Sequence, residues 1–423
     1  MNHPPVEVLI QHAFGMTTVE SQHIAACGAC ADEVEELSSI KTATRTLEMP
    51  ADLAEMGSRF DAEKSAAHDV LAGLEPSGIL DALSSSAELA TEGGLQALIE
   101  SIPSIRRSDP VSAFELAQEL ILTLEVRAAS DQWSLAEETY ADALREAAAC
   151  ARVLSRYDEA LELLEDAERR ARNLPTGDYL LGRIWYERAG IGVWRASSRT
   201  REWASRAAEV FARFGDTRRY NRSRYLVAIS YYNDRDYRQT IEALYELLPH
   251  LEADEDRETR AAACSVLGHA LLRDGSSQGA SRAFSEAMAA YESLDRPIDR
   301  LRASWGLART DLKLGNLEQA LQSLQQLRSR FRDVRLEEEA ALVGLDVTET
   351  LLLLSDHEAA LVVCRESMET LDERFSGREQ KRALAYLSEI TNTRMNIEDL
   401  SYVSDFLFDS VSQPGLLFLN PSA

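Results

Sequence analysis

The sequence predicts an all-α protein, a solenoid of stacked helical pairs behind a small N-terminal module. Three observations carry that expectation. The first is composition: 423 residues include only 20 glycines and 11 prolines, while Ala, Leu and Glu, which lose little on entering a helix, abound. The second is a repeat. From about residue 109 onward one pattern returns with a period near forty, a short polar turn followed by a small residue that opens a helix. The third is length, which is too great for one ordinary compact domain but natural for an array that grows in one dimension.

The small residues stand at Ala160 in SRYDEALELL, Thr240 in NDRDYRQTIEAL, Ala280 in DGSSQGASRAF, Ala320 in LGNLEQALQSL and Ala360 in LSDHEAALVV, all multiples of forty apart. A displaced copy, RTREWASRAAEVF, centres near Ala204, and an earlier one, DPVSAFELAQELI, near Ala113. Each follows another amphipathic helix that ends about five residues earlier. VLGHALLRDGSSQGASRAF shows the arrangement: Leu267 and Gly268 lie on the first helix, Gly275 breaks it, and Ala280 and Phe284 lie on the second. Two antiparallel helices approach closely only where Gly or Ala faces the partner, with large residues filling the surrounding holes.

Leu-Gly followed by Ala and then Phe resembles the tetratricopeptide repeat (TPR) family, over roughly residues 109–395. The repeats exceed that family's usual length by several residues, so longer helices or loops are implied. Stacked neighbours bury apolar faces that no single repeat buries alone. The resemblance implies a curved superhelix whose concave face is lined by the first helix of each pair. In the family's register its outward positions are Tyr225, Ile229, Tyr232 and Asn233, then His269, Arg273, Trp305, Arg309 and Lys313. Aromatics mixed with Arg and Asn suit capture of an extended peptide or a partner helix. Packing between repeats is the other reading open for each of them, and the bulk of Trp305 suits a core.

The N-terminal segment ESQHIAACGACADEVEEL sets His23, Cys27 and Cys30 in an H-x3-C-x2-C pattern. On a helix these share one face, and zinc takes four N or S ligands tetrahedrally. The fourth comes from elsewhere; His3, just before Pro4-Pro5, is favoured over His12. His3, the stretch from Leu9 to Gly15, and His23 with Cys27 and Cys30 resemble the zinc-binding anti-sigma family, although no Pro follows Cys27. The resemblance covers about 45 residues. It implies a Zn2+ module that grips a sigma factor and keeps it from RNA polymerase, with the repeats binding a second protein or a signal peptide. The competing expectation is a TPR scaffold or adaptor in a multiprotein complex, linked to a protease or kinase, with a structural zinc knuckle.

The expected organisation is a zinc module over 1–45, a helical connector over 46–100, the superhelix over 101–412 and a tail over 413–423. A formal charge of −26 repels nucleic acid and anionic membrane and favours a basic partner. No apolar run reaches membrane-spanning length, and the N-terminus lacks a secretory signal. Five cysteines, two close together and three scattered, do not form a disulfide framework, so the cytoplasm is expected. No phosphate loop, dinucleotide glycine motif or nucleophile elbow is present, so no enzyme is expected.

Overall fold

The computed structural model describes residues 51–74, 78–128, 136–195, 197–251, 256–375, 377–393, 395–412 and 418–419, with Cys27, Cys30, Ala31 and Val34. The chain forms two compact units, Met1–Glu100 and Ser101–Ala423.

The described part of the first unit contains α1 (Ala51–Ala72), α2 (Ile79–Ser85) and the beginning of α3 (Glu92–Ser108). Helices α1 and α3 meet at Gly93, where a Cβ would fall 2.5 Å from the Phe60 carbonyl oxygen, so only glycine fits. The Gly93 N–H donates to Glu63 at 3.2 Å, and Lys64 meets Glu100 at 2.7 Å. Leu89, Leu95, Leu98 and Ile99 are buried.

The second unit begins in α3 and continues with α4 (Pro110–Ala128), α5 (Ala136–Val153), α6 (Tyr157–Ala171), α7 (Gly177–Trp194), α8 (Thr200–Arg213), α9 (Thr217–Asn233) and α10 (Tyr237–Leu247). Then come α11 (Arg257–Arg273), α12 (Ser277–Ser293), α13 (Pro297–Leu314), α14 (Leu317–Asp333), α15 (Glu337–Leu353), α16 (His357–Arg374), α17 (Arg378–Thr393) and α18 (Ile397–Ser412). Each helix from α4 onward packs on the next. From α5 to α15 the first helices of successive pairs also touch, forming a continuous row, which we term the first-helix face.

The repeat has an inner metre. Left-handed backbone occurs at Ser155, Gly215, Arg235, Gly275, Asp295, Gly315, Arg335 and Ser355, at multiples of twenty residues from one another. At each, the next residue's N–H reaches back five residues to cap the preceding helix, as from Ser276 to the Leu271 carbonyl at 2.8 Å. Helices α11, α12, α14 and α15 are each 17 residues long, with three-residue turns between. The excess over the family's usual repeat therefore lies in longer helices, not longer loops.

Ala160, Thr240, Ala280, Ala320 and Ala360 are wholly buried where paired helices meet. A Cβ on Gly268 or Gly306 would come within 2.8 and 2.3 Å of the Phe284 ring, so both glycines let neighbouring helices close on one phenyl group. The copy near Ala204 is displaced because α8 starts at Thr200, three residues later than α10, α12, α14 and α16 start in their repeats.

The array changes after α16, within the stretch expected as superhelix over 101–412. Helix α17 touches α16 only lightly, and α18 packs against α15 instead of completing a seventh close pair. Leu400 explains the departure. It occupies the next multiple of forty, its N–H bonded to the Asn396 carbonyl in the shared register, yet its side chain is too large for the close approach Ala permits. Leu400, Val403 and Leu407 bury themselves in the apolar cluster that includes α15. Of the segment expected to be a tail, residues 418 and 419 are described. Phe418 is buried against Tyr386, Tyr402 and Phe406, and the Tyr402 hydroxyl donates to the Leu419 carbonyl at 2.6 Å.

Candidate functional site

Helix α18 lies on the first-helix face formed by α11, α13 and α15. Asp405, Phe408 and Asp409, three and four residues apart, share one side of α18. Arg273 on α11 pairs with Asp405 at 2.6 Å and Asp409 at 3.1 Å. Arg309 on α13 reaches Asp405 at 2.5 Å with one Nη, while its Nε faces Asp346 of α15 at 3.4 Å. Asp346 also accepts the Trp305 indole N–H at 2.6 Å and the Ser404 hydroxyl at 3.4 Å. Lys313 meets Glu349 at 3.0 Å.

Between the two aspartates, Phe408 fills an aromatic seat. Its ring stands edge-on to Trp305 at 4.9 Å and tilted to His269 at 5.5 Å, with the Arg309 guanidinium 4.8 Å from its centroid. Trp305 also meets Phe331 at 6.1 Å, so its bulk serves the core and its upper edge serves the seat. Polar tips around a dry aromatic centre are what an anchor pocket for an amphipathic helix requires.

The field on this face opposes the charge of the whole chain. Burial and then Arg309 and Arg273 drive the His269 imidazole down to about 3, so it is neutral at pH 7. Burial alone would raise Asp405, but Arg309 and Arg273 outweigh it and hold the carboxyl below its usual range. Asp409 is raised, by burial first, and so is Asp346. Without α18, the cations Arg273, Arg309 and Lys313 face the carboxylates Asp346 and Glu349; α18 adds two more. A net charge of −26 favours a basic partner, yet the helix covering this surface is acidic because the local groups are cationic.

Of the residues selected from sequence, His269, Arg273, Trp305 and Arg309 gather under α18. Tyr232 borders them: its ring is 5.6 Å from that of Tyr237, and burial followed by Asp409 pushes its phenol well above the ordinary range. Tyr225 packs between repeats, in the cluster with Ala228 and Leu267. Asn233 donates to the Val193 carbonyl at 3.0 Å and ties α9 to α7. Ile229 is part-buried on α9. Sequence reasoning missed Asp346, Ser404, Asp405, Phe408 and Asp409. The signals available were the D-x2-F-D spacing and Leu400 in a place reserved for small residues.

Of the N-terminal motif, Cys27 and Cys30 are described; His3, His12 and His23 lie outside the described residues. The Cys27 carbonyl accepts the Ala31 N–H at 2.9 Å, closing one helical turn, and Cys30 is buried against Cys27 and Val34. Among the described residues no three His, Cys, Asp or Glu side chains form a metal-holding group. Burial pushes Cys150 and Cys264 up to about 11 and Cys364 to about 12, so these remain thiols and behave as small apolar residues. Among the described residues, no helix is long and apolar enough to cross a membrane.

No protein-family model and no curated protein matches the chain. Solved structures do. The apo form of RapI matches with a TM-score of 0.51 and 13% identity, covering 63% of this chain and 96% of that one. NprR in complex with its cognate peptide NprX matches with a TM-score of 0.50 and 14% identity, covering 82% and 98%. These likenesses show the fold, an array of TPR-like helical repeats.

Proposed function

We propose that the chain is a non-enzymatic, cytoplasmic binding protein that captures a helical or extended segment of a protein partner on the first-helix face of α11, α13 and α15. One observation carries this reading: Arg273 and Arg309 flank an aromatic seat of Trp305 and His269, and the seat accommodates an amphipathic helix. NprR, of like fold, is described in complex with a cognate peptide, which supports a peptide-sized occupant here. To test it, the full chain would carry a photoreactive residue in place of Tyr232, and in a control in place of exposed Val153. A co-purifying polypeptide crosslinked at 232 but not at 153 supports the reading. Crosslinks confined to the control position contradict it.

A second reading concerns the N-terminal motif, and the helical turn that brings Cys27 and Cys30 together favours it. In this reading His3, His23, Cys27 and Cys30 hold Zn2+, and the module grips a sigma factor while the repeats bind a second protein. Metal analysis of the full chain should find one zinc, lost in Cys27→Ser, because thiolate ligation and local folding are coupled. A sigma factor should co-purify with the wild type and not with that variant. Zinc without a sigma factor leaves the adaptor with a structural zinc knuckle, assembled with a protease or kinase; no zinc sinks both.

A further inference from the structure

Resting on the reading of this face as a partner site, we propose that α18 is a resident occupant that the partner displaces. The partner segment is of matching chemistry: an amphipathic helix with two carboxylates four residues apart and an aromatic residue beside the second. The pattern is that of Asp405, Phe408 and Asp409, and each element meets a specific group. The first carboxylate bridges Arg273 and Arg309, the ring enters between His269 and Trp305, and the second carboxylate takes the remaining edge of Arg273.

Four features make α18 an exchangeable occupant and not a fixed part of the stack. Leu400 denies it the close helix-pair seat that a small residue gives earlier repeats, so it is held by its apolar face against α15 and α17. Its anchor, α17, touches α16 lightly. The electrostatic match is imperfect: Asp409 keeps a raised carboxyl, by burial first, although Arg273 pairs with it. Lastly, the bonds from Arg309 and Arg273 span 96 and 136 residues, whereas a solenoid is held by neighbour-to-neighbour contacts. Breaking them leaves every stacked pair below in place.

Spontaneous opening is nonetheless unfavourable. It would strip the Ser404 hydroxyl from the buried carboxylate of Asp346, uncover Trp305 and expose Leu400, Val403, Leu407 and Phe408 together. Release therefore goes by exchange, with an incoming helix taking over the arginines as α18 leaves. The acidic, apolar-faced α18 is then free to engage something else, which makes the groove a switch as well as a receptor.

The test uses the full chain and a fluorescent synthetic peptide of residues 395–412. In-chain Asp405→Asn with Asp409→Asn weakens the resident helix, and circular dichroism checks that the repeats remain folded. The peptide should bind the doubly substituted chain at least tenfold more tightly than the wild type, because its competitor is weakened. A peptide carrying the same two substitutions should bind at least tenfold more weakly. In the wild type, saturating isotope-labelled peptide should accelerate hydrogen exchange at residues 400–410 while α11 and α13 stay protected. Equal affinity for both chains, or unchanged protection of 400–410, overturns displacement while leaving the site intact. If residues 400–410 exchange freely in the substituted chain and the peptide still binds neither chain, the site reading itself falls.

Discussion

Two helices of the array, α5 and α15, are buried around their whole circumference, from Thr139 to Ala151 and from Ala340 to Leu352, and they reach that state differently. Around α5, Arg145 bonds Asp142 and Glu146 at 2.7 and 2.5 Å, Arg183 bonds Asp142 at 3.0 Å, and Arg106 bonds Glu146 at 2.7 Å. Those inter-helix bonds span 40 and 41 residues, one repeat. Around α15, the matching cations of α11 and α13 are completed by α18, across 96 and 136 residues. The first network is made by stacking and opens only when the stack does. The second is made by docking, and can open alone.

The largest effect expected is on the first network. Arg145→Ala leaves Asp142 and Glu146 buried with one cation fewer, at a cost of about 3–5 kcal/mol, read as a lowered denaturation midpoint for the repeats as a whole. Arg273→Ala should leave that midpoint nearly unchanged and speed hydrogen exchange at 400–410 instead. A global loss as large as that of Arg145→Ala would erase the distinction.

Next comes a change that touches no charge. Gly306→Val drives a side chain into the Phe284 ring, since its Cβ would lie 2.3 Å from the ring edge, and overpacking of that kind costs about 1–3 kcal/mol. It loosens the stack under α18 without altering the docked charges, so the peptide affinity of the doubly substituted chain should survive at temperatures where the repeats remain folded.

Acid separates the two networks by the pH at which each is weakened. Arg145 outweighs burial at Asp142, as Arg152 does at Glu187, and both carboxyls are lowered. Their contribution is therefore intact above the ordinary carboxylate range and lost only below it. His269 is pushed from 6.5 to about 3, so stability that depends on its neutral form is present above pH 6.5 and declines from there toward pH 3. Undocking of α18 uncovers the ring face that meets Phe408, so exchange at 400–410 should quicken as pH falls from 7.5 to 5.5. The charged groups around the imidazole are Arg273 on its own helix, Arg309 on α13, and Asp405 and Asp409 on α18. The raised carboxyl of Asp409 acts in the opposite direction, further down the scale. His269→Gln should abolish the response between pH 7.5 and 5.5; an unchanged response would place it elsewhere.

The smallest effect belongs to an exposed pair. Arg296 meets Glu258 at 2.7 Å with both side chains more than half exposed. Arg296→Ala should cost no more than about 1 kcal/mol and leave both the midpoint and the 400–410 exchange alone, marking the floor against which the other changes are read.

The repeat was legible because close packing demands small residues at fixed intervals, and Ala160, Ala280, Ala320 and Ala360 display them. The twenty-residue metre was less visible: Gly215, Gly275 and Gly315 mark three left-handed turns, but Ser155, Arg235, Asp295, Arg335 and Ser355 adopt the same backbone without the signature residue. Register brought His269, Arg273, Trp305 and Arg309 together as a set, because one helix periodicity governs all of them. It could not reveal what covers them. A contact between repeats recurs every forty residues and leaves a pattern, whereas the docking of Asp405 on Arg273 occurs once and leaves none. Overall charge is silent on this face for a related reason, since acidic residues spread over solvated faces say nothing about three cations gathered on one.

The account stands on α18 being docked, not stacked. Native-state hydrogen exchange of the full chain, followed over rising sub-denaturing urea, compares amides of α18 with those of α5 directly. Amides of 400–410 should open through a separate, smaller transition with a shallow urea dependence, well before those of 139–151. If both sets merge into one steep transition with the same opening free energy, α18 is part of the stack and the account is wrong.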